Sequence, residues 1–191
     1  YFNCILLDGT DIRDMTQRHL RSHLAYVQQK AWLFSGTIRD NLRYSRPDAT
    51  DEELMHAADV AQAGDFIRSL PDGLDSFVAQ GGANFSGGQK QRLSIARALA
   101  RCPEILVFDD SFSALDYRTD AKLRAGLDRE LKDTTRLIVA QRIGTIRNAD
   151  KIIVLDEGRM VGMGTHEELM QTCPIYQEIA RSQLSQEELG A

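Results

Sequence analysis

The strongest constraint on the fold is a continuous apolar run at residues 105–108, Ile-Leu-Val-Phe, which ends at Asp109 and Asp110. A strand without polar alternation is buried on both faces, as in a parallel sheet covered by helices. Segments with helical apolar spacing lie directly before and after it, and further strand-like runs occur at residues 24–27 and 137–140. This alternation of strand and helix predicts an α/β fold with a parallel sheet.

The two aspartates mark a candidate ligand site, because open α/β sheets bind ligands outside the carboxyl ends of their strands. Asp109 offers the oxygen ligands that Mg²⁺ prefers, and Asp110 can position an attacking water. A lone strand that ends in two aspartates is often only a turn. The pair therefore needs support from a second motif.

That second motif is Ser86-Gly87-Gly88-Gln89, at the head of a predicted helix. A Ser N-cap followed by two glycines leaves backbone amides uncovered where partial positive charge accumulates, so a phosphate can approach without meeting a Cβ. Taken alone, the string is equally typical of a flexible turn into a helix. Its position about twenty residues before the aspartates favours a phosphate site.

Local patterns predict several element boundaries. Thr50 and Thr165 each begin a Thr-x-x-Glu capping box at the start of a predicted helix. Residues 28–36 are expected to be irregular, and Glu157-Gly158 predicts the turn of a β-hairpin.

The overall charge, the length of the apolar runs and the cysteine content argue against several other classes of protein. The chain has 28 acidic and 23 basic residues, so its overall charge does not favour binding to nucleic acid. No run approaches the roughly 18 apolar residues of a membrane-spanning helix. Three scattered cysteines fit a reducing compartment better than a disulfide framework.

Together these strings resemble the nucleotide-binding domain of ABC transporters over essentially the whole chain. The matching segments are the signature at 85–89, the Walker B strand at 105–109, the D-loop at 113–116, the Q-loop glutamine Gln29, and the exporter form of that loop at 33–38. The resemblance implies a P-loop NTPase (RecA-like) core at residues 1–29 and 91–191, with a helical signature subdomain inserted at residues 30–90.

The family carries a glycine-rich Walker A loop ending in Lys-Ser/Thr before the strand that contains Cys4, and this sequence has no such loop. We therefore expect an N-terminally truncated domain. Without that phosphate cradle, the chain by itself is expected to bind ATP weakly or not at all, and to be inactive.

The resemblance also assigns roles. Asp109 would hold Mg²⁺ beside this domain's ATP. Gln29 would bind the metal, sense the γ-phosphate and contact the coupling helices of the membrane domain. Ser86, Gly87, Gly88 and Gln89 would face the ATP of a second nucleotide-binding domain, and Asp116 would lie near nucleotide.

Two residues depart from the family pattern. Asp110 stands where a glutamate usually activates water, and Gln141 stands where a histidine usually reaches the γ-phosphate. Aspartate is one methylene shorter, and glutamine can neither carry positive charge nor shuttle a proton. Both changes fall on one catalytic centre while the signature is intact. This asymmetry predicts one half of a heterodimeric exporter, in which Asp110 and Gln141 belong to the slow site.

The resulting hypothesis is an ATP hydrolase on the cytoplasmic face of the membrane, with its transmembrane domain upstream in the same polypeptide. One alternative is a soluble ABC ATPase that acts on ribosomes or DNA, which the exporter-type segment at residues 33–38 disfavours. Another is an interaction module that has lost its nucleotide chemistry. The sequence does not indicate the transported substrate.

Overall fold

A computed structural model describes residues 5–183 of the chain. The chain divides into two compact units, residues 1–139 and 140–191, and the described part of each has its own hydrophobic core. Cys4, predicted to open the first strand, lies outside the described residues. None of the helices between residues 5 and 183 combines the length and apolar character needed to cross a membrane.

The first unit is organised by a parallel sheet of three strands. Its strands in chain order are β1 (Leu6–Leu7), β2 (Thr10–Asp11), β3 (Leu24–Val27), β4 (Gly36–Thr37), β5 (Phe77–Val78), β6 (Ile105–Asp109) and β7 (Thr135–Val139). The parallel sheet has the order β3-β6-β7, whereas β1-β2 and β4-β5 are short antiparallel pairs. The predicted parallel α/β core is confirmed.

Six α-helices complete the described part of this unit. They are α1 (Gln17–His23), α2 (Ile38–Arg43), α3 (Asp51–Val60), α4 (Gly64–Ser69), α5 (Gly87–Leu99) and α6 (Tyr117–Glu130). Local chemistry fixes where several of them begin. Thr37 and Thr50 form capping boxes with Asp40 and Glu53, so the first free amides of α2 and α3 are satisfied by side chains.

The sheet buries only one of its faces. Ala25, Val27, Leu106 and Phe108 are all buried in the core of the first unit, together with apolar residues of α5 and α6. The alternate positions point to the opposite face, where large apolar side chains remain exposed, as at Tyr26, Leu137 and Val139. A parallel sheet normally has both faces covered, so this exposed apolar face is unusual.

Two details differ from the sequence-based expectation. Residues 28–36 were expected to be irregular, but Gly36 and Thr37 form β4 and pair with Val78 and Phe77, some forty residues away in the chain. The last parallel strand spans Thr135–Val139 rather than 137–140. Its backbone pairing with β6 sets these limits, and apolar character alone does not show that pairing.

The helical segment between β3 and β6 contains α2 to α5, and α5 runs through residue 90. The proposed division into residues 1–29 with 91–191 and residues 30–90 stays a prediction.

The second unit contains a hairpin and three helices. Its elements are β8 (Ile152–Asp156), β9 (Arg159–Gly164), α7 (Ile143–Ile146), α8 (His166–Thr172) and α9 (Pro174–Gln183). Glu157 and Gly158 both have positive φ, at 45° and 76°, as the predicted tight turn requires. The predicted capping box at Thr165 opens α8. The core is built from β8 and all three helices and includes the fully buried Tyr176.

Candidate active site

The candidate active site lies at the carboxyl end of the parallel sheet. Since β3 and β6 run in the same direction, Val27 pairs with Phe108, and the residues that follow each strand emerge at one edge. This edge brings Gln29 together with Asp109 and Asp110, as the sequence predicted. The placement follows the general rule for ligand sites in open α/β sheets.

Asp109 ends β6 and is half-buried. Its Oδ2 accepts a hydrogen bond from the hydroxyl of Tyr26 at 2.6 Å. This bond raises the pKa of Tyr26 above its ordinary value near 10, so the phenol keeps its proton and remains a donor at neutral pH. Sequence inspection did not single out Tyr26, because the contact joins two strands that are 83 residues apart.

Asp110 is the next residue, and it is tied to the Q-loop. Gln29 Nε2 donates to its Oδ2 at 3.0 Å. The backbone N–H of Asp110 donates to the carbonyl of Val139 at 2.9 Å. This bond holds the backbone from which the Asp110 side chain extends. Its φ of 44° lies in the left-handed region, which aspartate tolerates better than most residues.

Ser111 fastens this corner of the sheet. It is fully buried, and its Oγ donates to the carbonyl of Val27 at 2.8 Å. Gln91 of α5, also buried, contacts the carbonyl of Gln28 at 3.3 Å. These bonds hold the end of β3 and the start of the Q-loop against the aspartates. The sequence alone did not reveal either partner.

The oxygen atoms at this edge suit Mg²⁺. With Oδ2 of Asp109 engaged by the phenol, its Oδ1 has no protein partner among residues 5–183. Gln29 donates through its nitrogen, so its amide oxygen is left as an acceptor. No cluster of three or more His, Cys, Asp or Glu able to hold a metal occurs in the described part of the chain. Mg²⁺ does not require one, because it usually takes one or two carboxylates and completes its shell with phosphates and waters.

The helix N-terminus at α5 forms the second part of the candidate site. Ser86 Oγ accepts from the amide of Gln89 at 3.2 Å, and Gln89 Oε1 accepts from the amide of Ser86 at 2.9 Å. This capping box leaves the amides of Gly87 and Gly88 without an intrahelical partner. A Cβ at Gly87 would meet nothing within 4 Å, so the approach to these amides is open. The capping box and the open approach are compatible with an anion site at this helix start, and the site itself stays a prediction.

The side chain of Gln89 has a structural task at the start of α5, and its predicted place facing the ATP of a second domain stays a prediction. It caps α5, so its amide oxygen is already used within the chain. Ser86 still has its hydroxyl proton available for a ligand. The sequence carried this signal, since Ser-x-x-Gln before a helix is a capping-box pattern.

Asp116 also serves as a helix cap. It accepts the amide of Thr119 at 2.9 Å and the Thr119 hydroxyl at 2.7 Å, at the start of α6. These bonds, the backbone one first, lower the pKa of Asp116 and keep it ionised. Its predicted place near nucleotide stays a prediction.

Gln141 lies two residues beyond β7, in the second unit. Its side chain is exposed, and its backbone carbonyl accepts Nε2 of Gln183 at 2.9 Å. The role assigned to Gln141 in catalysis is likewise a prediction.

An aromatic surface follows the Q-loop, and we call Trp32, Phe34 and Tyr44 the aromatic platform. All three rings are largely exposed, and those of Phe34 and Tyr44 stack at 4.6 Å. The buried Asn41 holds the loop in place by accepting from the Phe34 amide and donating to the Phe34 carbonyl. Exposed aromatic groups of this kind are typical of contact surfaces.

Comparison with known proteins identifies the family. The family model described as "ABC transporter" matches residues 3–113. The chain belongs to the ABC transporter family. The matched residues include Gln29, the signature at 86–89, Asp109 and Asp110, and the resemblance inferred from the motifs is thereby confirmed.

Individual ABC proteins are similar over nearly the whole chain. An ABC transporter ATP-binding protein of Mycobacterium tuberculosis is 51% identical over 182 residues, which are 94% of this chain and 31% of that protein. The ATP-dependent lipid A-core flippase of Chromobacterium violaceum is 41% identical over 182 residues, 95% of this chain and 31% of that protein. The chain thus spans under a third of the length of these relatives.

The fold comparison agrees. The solved structure of a bacterial Atm1-family ABC exporter with ATP bound is 41% identical and superposes with a TM-score of 0.90, over 94% of this chain and 32% of that one. The predicted fold class, an α/β core of the P-loop NTPase type, is confirmed.

Proposed function

We propose that this chain is the ATP-binding part of an ABC exporter, in which binding and hydrolysis of ATP drive the export of a substrate across a membrane. The observation that carries the proposal is the cluster of Gln29, Asp109 and Asp110 at the carboxyl end of the parallel sheet. The similarity to an exporter solved with ATP bound supports it.

Each residue of the cluster has a chemical role in this proposal. Asp109 would hold Mg²⁺ through Oδ1, the oxygen that Tyr26 does not engage, and Gln29 would offer its amide oxygen to the same cation. When bound, the cation neutralises charge on the phosphates. Asp110 orients the attacking water. Since Gln29 already donates to Asp110, the Q-loop links the nucleotide to the hydrolytic carboxylate.

This catalytic site is proposed to be slow. The carboxylate of Asp110 starts from a backbone fixed by Val139, so it cannot move forward to make up for the missing methylene. Gln141 adds a second deficit, because an amide cannot transfer a proton as an imidazole can. The site then retains nucleotide longer than it hydrolyses it.

The proposed partner is a second, different nucleotide-binding domain. Gly87 and Gly88 present free amides to solvent at the N-terminus of α5, where they can complete an ATP site built mainly by that partner. An intact signature beside a weakened catalytic centre supports a heterodimer with one slow and one fast site.

The proposed membrane contact uses the aromatic platform. Trp32 and Phe34 follow Gln29 by three and five residues, so a helix docked on the platform can sense the state of the Q-loop. In this proposal the chain lies at the cytoplasmic face of the membrane, with membrane-spanning segments in the same polypeptide.

Nucleotide titration tests the proposal. The longer polypeptide that carries this chain should bind ATP in a Mg²⁺-dependent manner, and Asp109→Asn should abolish the Mg²⁺ dependence. The 191-residue chain should bind ATP much more weakly. Absence of ATP binding by the longer polypeptide would instead favour an interaction module without nucleotide chemistry.

A further inference from the structure

Tyr26 occupies an unusual position in β3. Its neighbours Ala25 and Val27 are buried in the core, whereas Tyr26 is 54% exposed on the opposite face of the sheet. Tyr26 pairs with Val107, and Asp109 lies two residues further along β6. Because side chains alternate along a strand, Tyr26 and Asp109 share one face and are diagonal neighbours.

Within the described strands β6 and β7, that face supplies no other hydrogen-bonding side chain close to Asp109. The residue directly beside it in β7 is Val139, and Val107 and Leu137 form the next row of the sheet. All three are aliphatic. A long side chain with a terminal donor is needed to cross the diagonal distance of about 7 Å. Tyr26 meets both requirements, and its hydroxyl reaches Asp109 Oδ2 at 2.6 Å.

We infer that Tyr26 is a positioning residue for the Mg²⁺-binding carboxylate of Asp109, holding Oδ2 so that Oδ1 faces the cation. The inference rests on the proposed function, because it requires that Asp109 bind the metal. It adds Tyr26 of β3 to the metal site. This residue lies outside the Q-loop, the Walker B strand and the signature.

The physical basis is the freedom of an untethered carboxylate. Rotation about the bond between Cβ and the carboxyl carbon is broad, so either oxygen can face the metal in many orientations. A short hydrogen bond from a neutral donor to an ionised oxygen is strong and directional, and it narrows this range. Partners of metal-ligating carboxylates typically contribute 10- to 100-fold to metal affinity.

The competing explanation is that Tyr26 only supplies apolar area to the exposed face. Phenylalanine would do this equally well, since it has the same ring. The two explanations therefore differ in what removal of the single hydroxyl does to metal binding, and not in what it does to folding.

The test compares Tyr26→Phe with the wild-type sequence in the longer polypeptide that carries this chain. Mn²⁺ replaces Mg²⁺, and its binding in the presence of saturating ATP is followed by electron paramagnetic resonance. ATP affinity is measured separately in EDTA. The control is Ser69→Ala, which removes an exposed hydroxyl that donates to the Phe66 carbonyl, away from the proposed site residues.

We expect Tyr26→Phe to weaken Mn²⁺ binding about tenfold. The ATP affinity of Tyr26→Phe in EDTA and the Mn²⁺ affinity of Ser69→Ala should stay within twofold of wild type. A Mn²⁺ affinity of Tyr26→Phe within twofold of wild type would overturn the positioning role. A loss of ATP affinity in EDTA equal to the loss of Mn²⁺ affinity would also overturn it, because the hydroxyl would then support the fold of the site in general. If the wild-type polypeptide itself binds no Mn²⁺ with ATP, the proposed function fails.

Discussion

Lengthening the catalytic carboxylate should accelerate hydrolysis at this chain's own site. The change is Asp110→Glu. The backbone of residue 110 is held by its bond to the Val139 carbonyl at 2.9 Å, so the extra methylene extends the carboxylate outward by up to about 1.5 Å of bond length. Misplacement of a catalytic group by about 1 Å can cost on the order of 100-fold in rate. The expected gain is therefore up to about 100-fold.

The same substitution should carry a small cost in stability. Residue 110 has a φ of 44°, and glutamate adopts the left-handed region less readily than aspartate does. Left-handed strain is worth on the order of 1 kcal/mol, which is small enough for the variant to fold. The gain in rate and the loss of stability should thus appear together.

The assay is single-turnover hydrolysis of ATP by the assembled transporter, with the partner's own catalytic carboxylate neutralised so that only this site is observed. Asp109→Glu is the matched control. It adds the same methylene one residue earlier and should weaken Mg²⁺ binding without any gain in rate. A folded Asp110→Glu variant that hydrolyses ATP within threefold of the wild-type rate would refute the geometric reasoning.

Two further predictions concern stability. Ser111→Ala leaves the Val27 carbonyl without its buried hydroxyl donor and should lower the free energy of unfolding by about 1 to 3 kcal/mol in urea titrations. In the second unit, burial lowers the pKa of His166 below its ordinary value of 6.5, and the charge of Arg147 lowers it further. His166 Nδ1 lies 2.8 Å from the hydroxyl of the buried Tyr176. As the pH decreases, His166 therefore becomes protonated at a higher pH in the unfolded chain than in the folded chain. The free energy of unfolding should fall as the pH decreases through and below about 6.5.

Each of these predictions has its own control. Ser69→Ala removes an exposed hydroxyl that donates to the Phe66 carbonyl and should change stability by less than Ser111→Ala. His166→Asn keeps an acceptor in place of Nδ1 but does not titrate, so its stability should vary less between pH 7 and 5. Equal losses of unfolding free energy in Ser111→Ala and Ser69→Ala would contradict the role assigned to the Ser111 hydroxyl. If the stability of His166→Asn depends on pH as that of the wild type does, the role assigned to His166 is wrong.

Local signals in the sequence predicted much of the fold. Capping boxes at Thr50 and Thr165 marked the starts of α3 and α8, and the turn at Glu157 and Gly158 marked the hairpin. These features depend on side chains within four residues of each other, so the sequence displays them directly. The parallel sheet followed from apolar runs that have no polar alternation.

Contacts between distant segments could not be predicted in this way. No local pattern indicates that Tyr26 reaches Asp109 or that Ser111 reaches Val27, because both pairs form only once β3 and β6 align in register. The short pair of β4 and β5 was missed for the same reason. For the candidate site, the sequence named Gln29 and the two aspartates, whereas the structure added the residues that hold them.

In the proposed heterodimer, this chain's carboxylates belong to a slow ATP site, whereas its signature completes a fast one. Steady-state ATP turnover of the transporter assembled with its proposed partner tests this assignment, with Gly87→Asp compared to Asp110→Asn. An aspartate at Gly87 has room and suits a helix N-terminus, so α5 should stay folded while the new charge repels phosphate. We expect Gly87→Asp to lower ATP turnover more than tenfold and Asp110→Asn to lower it far less. A larger loss for Asp110→Asn than for Gly87→Asp would contradict it.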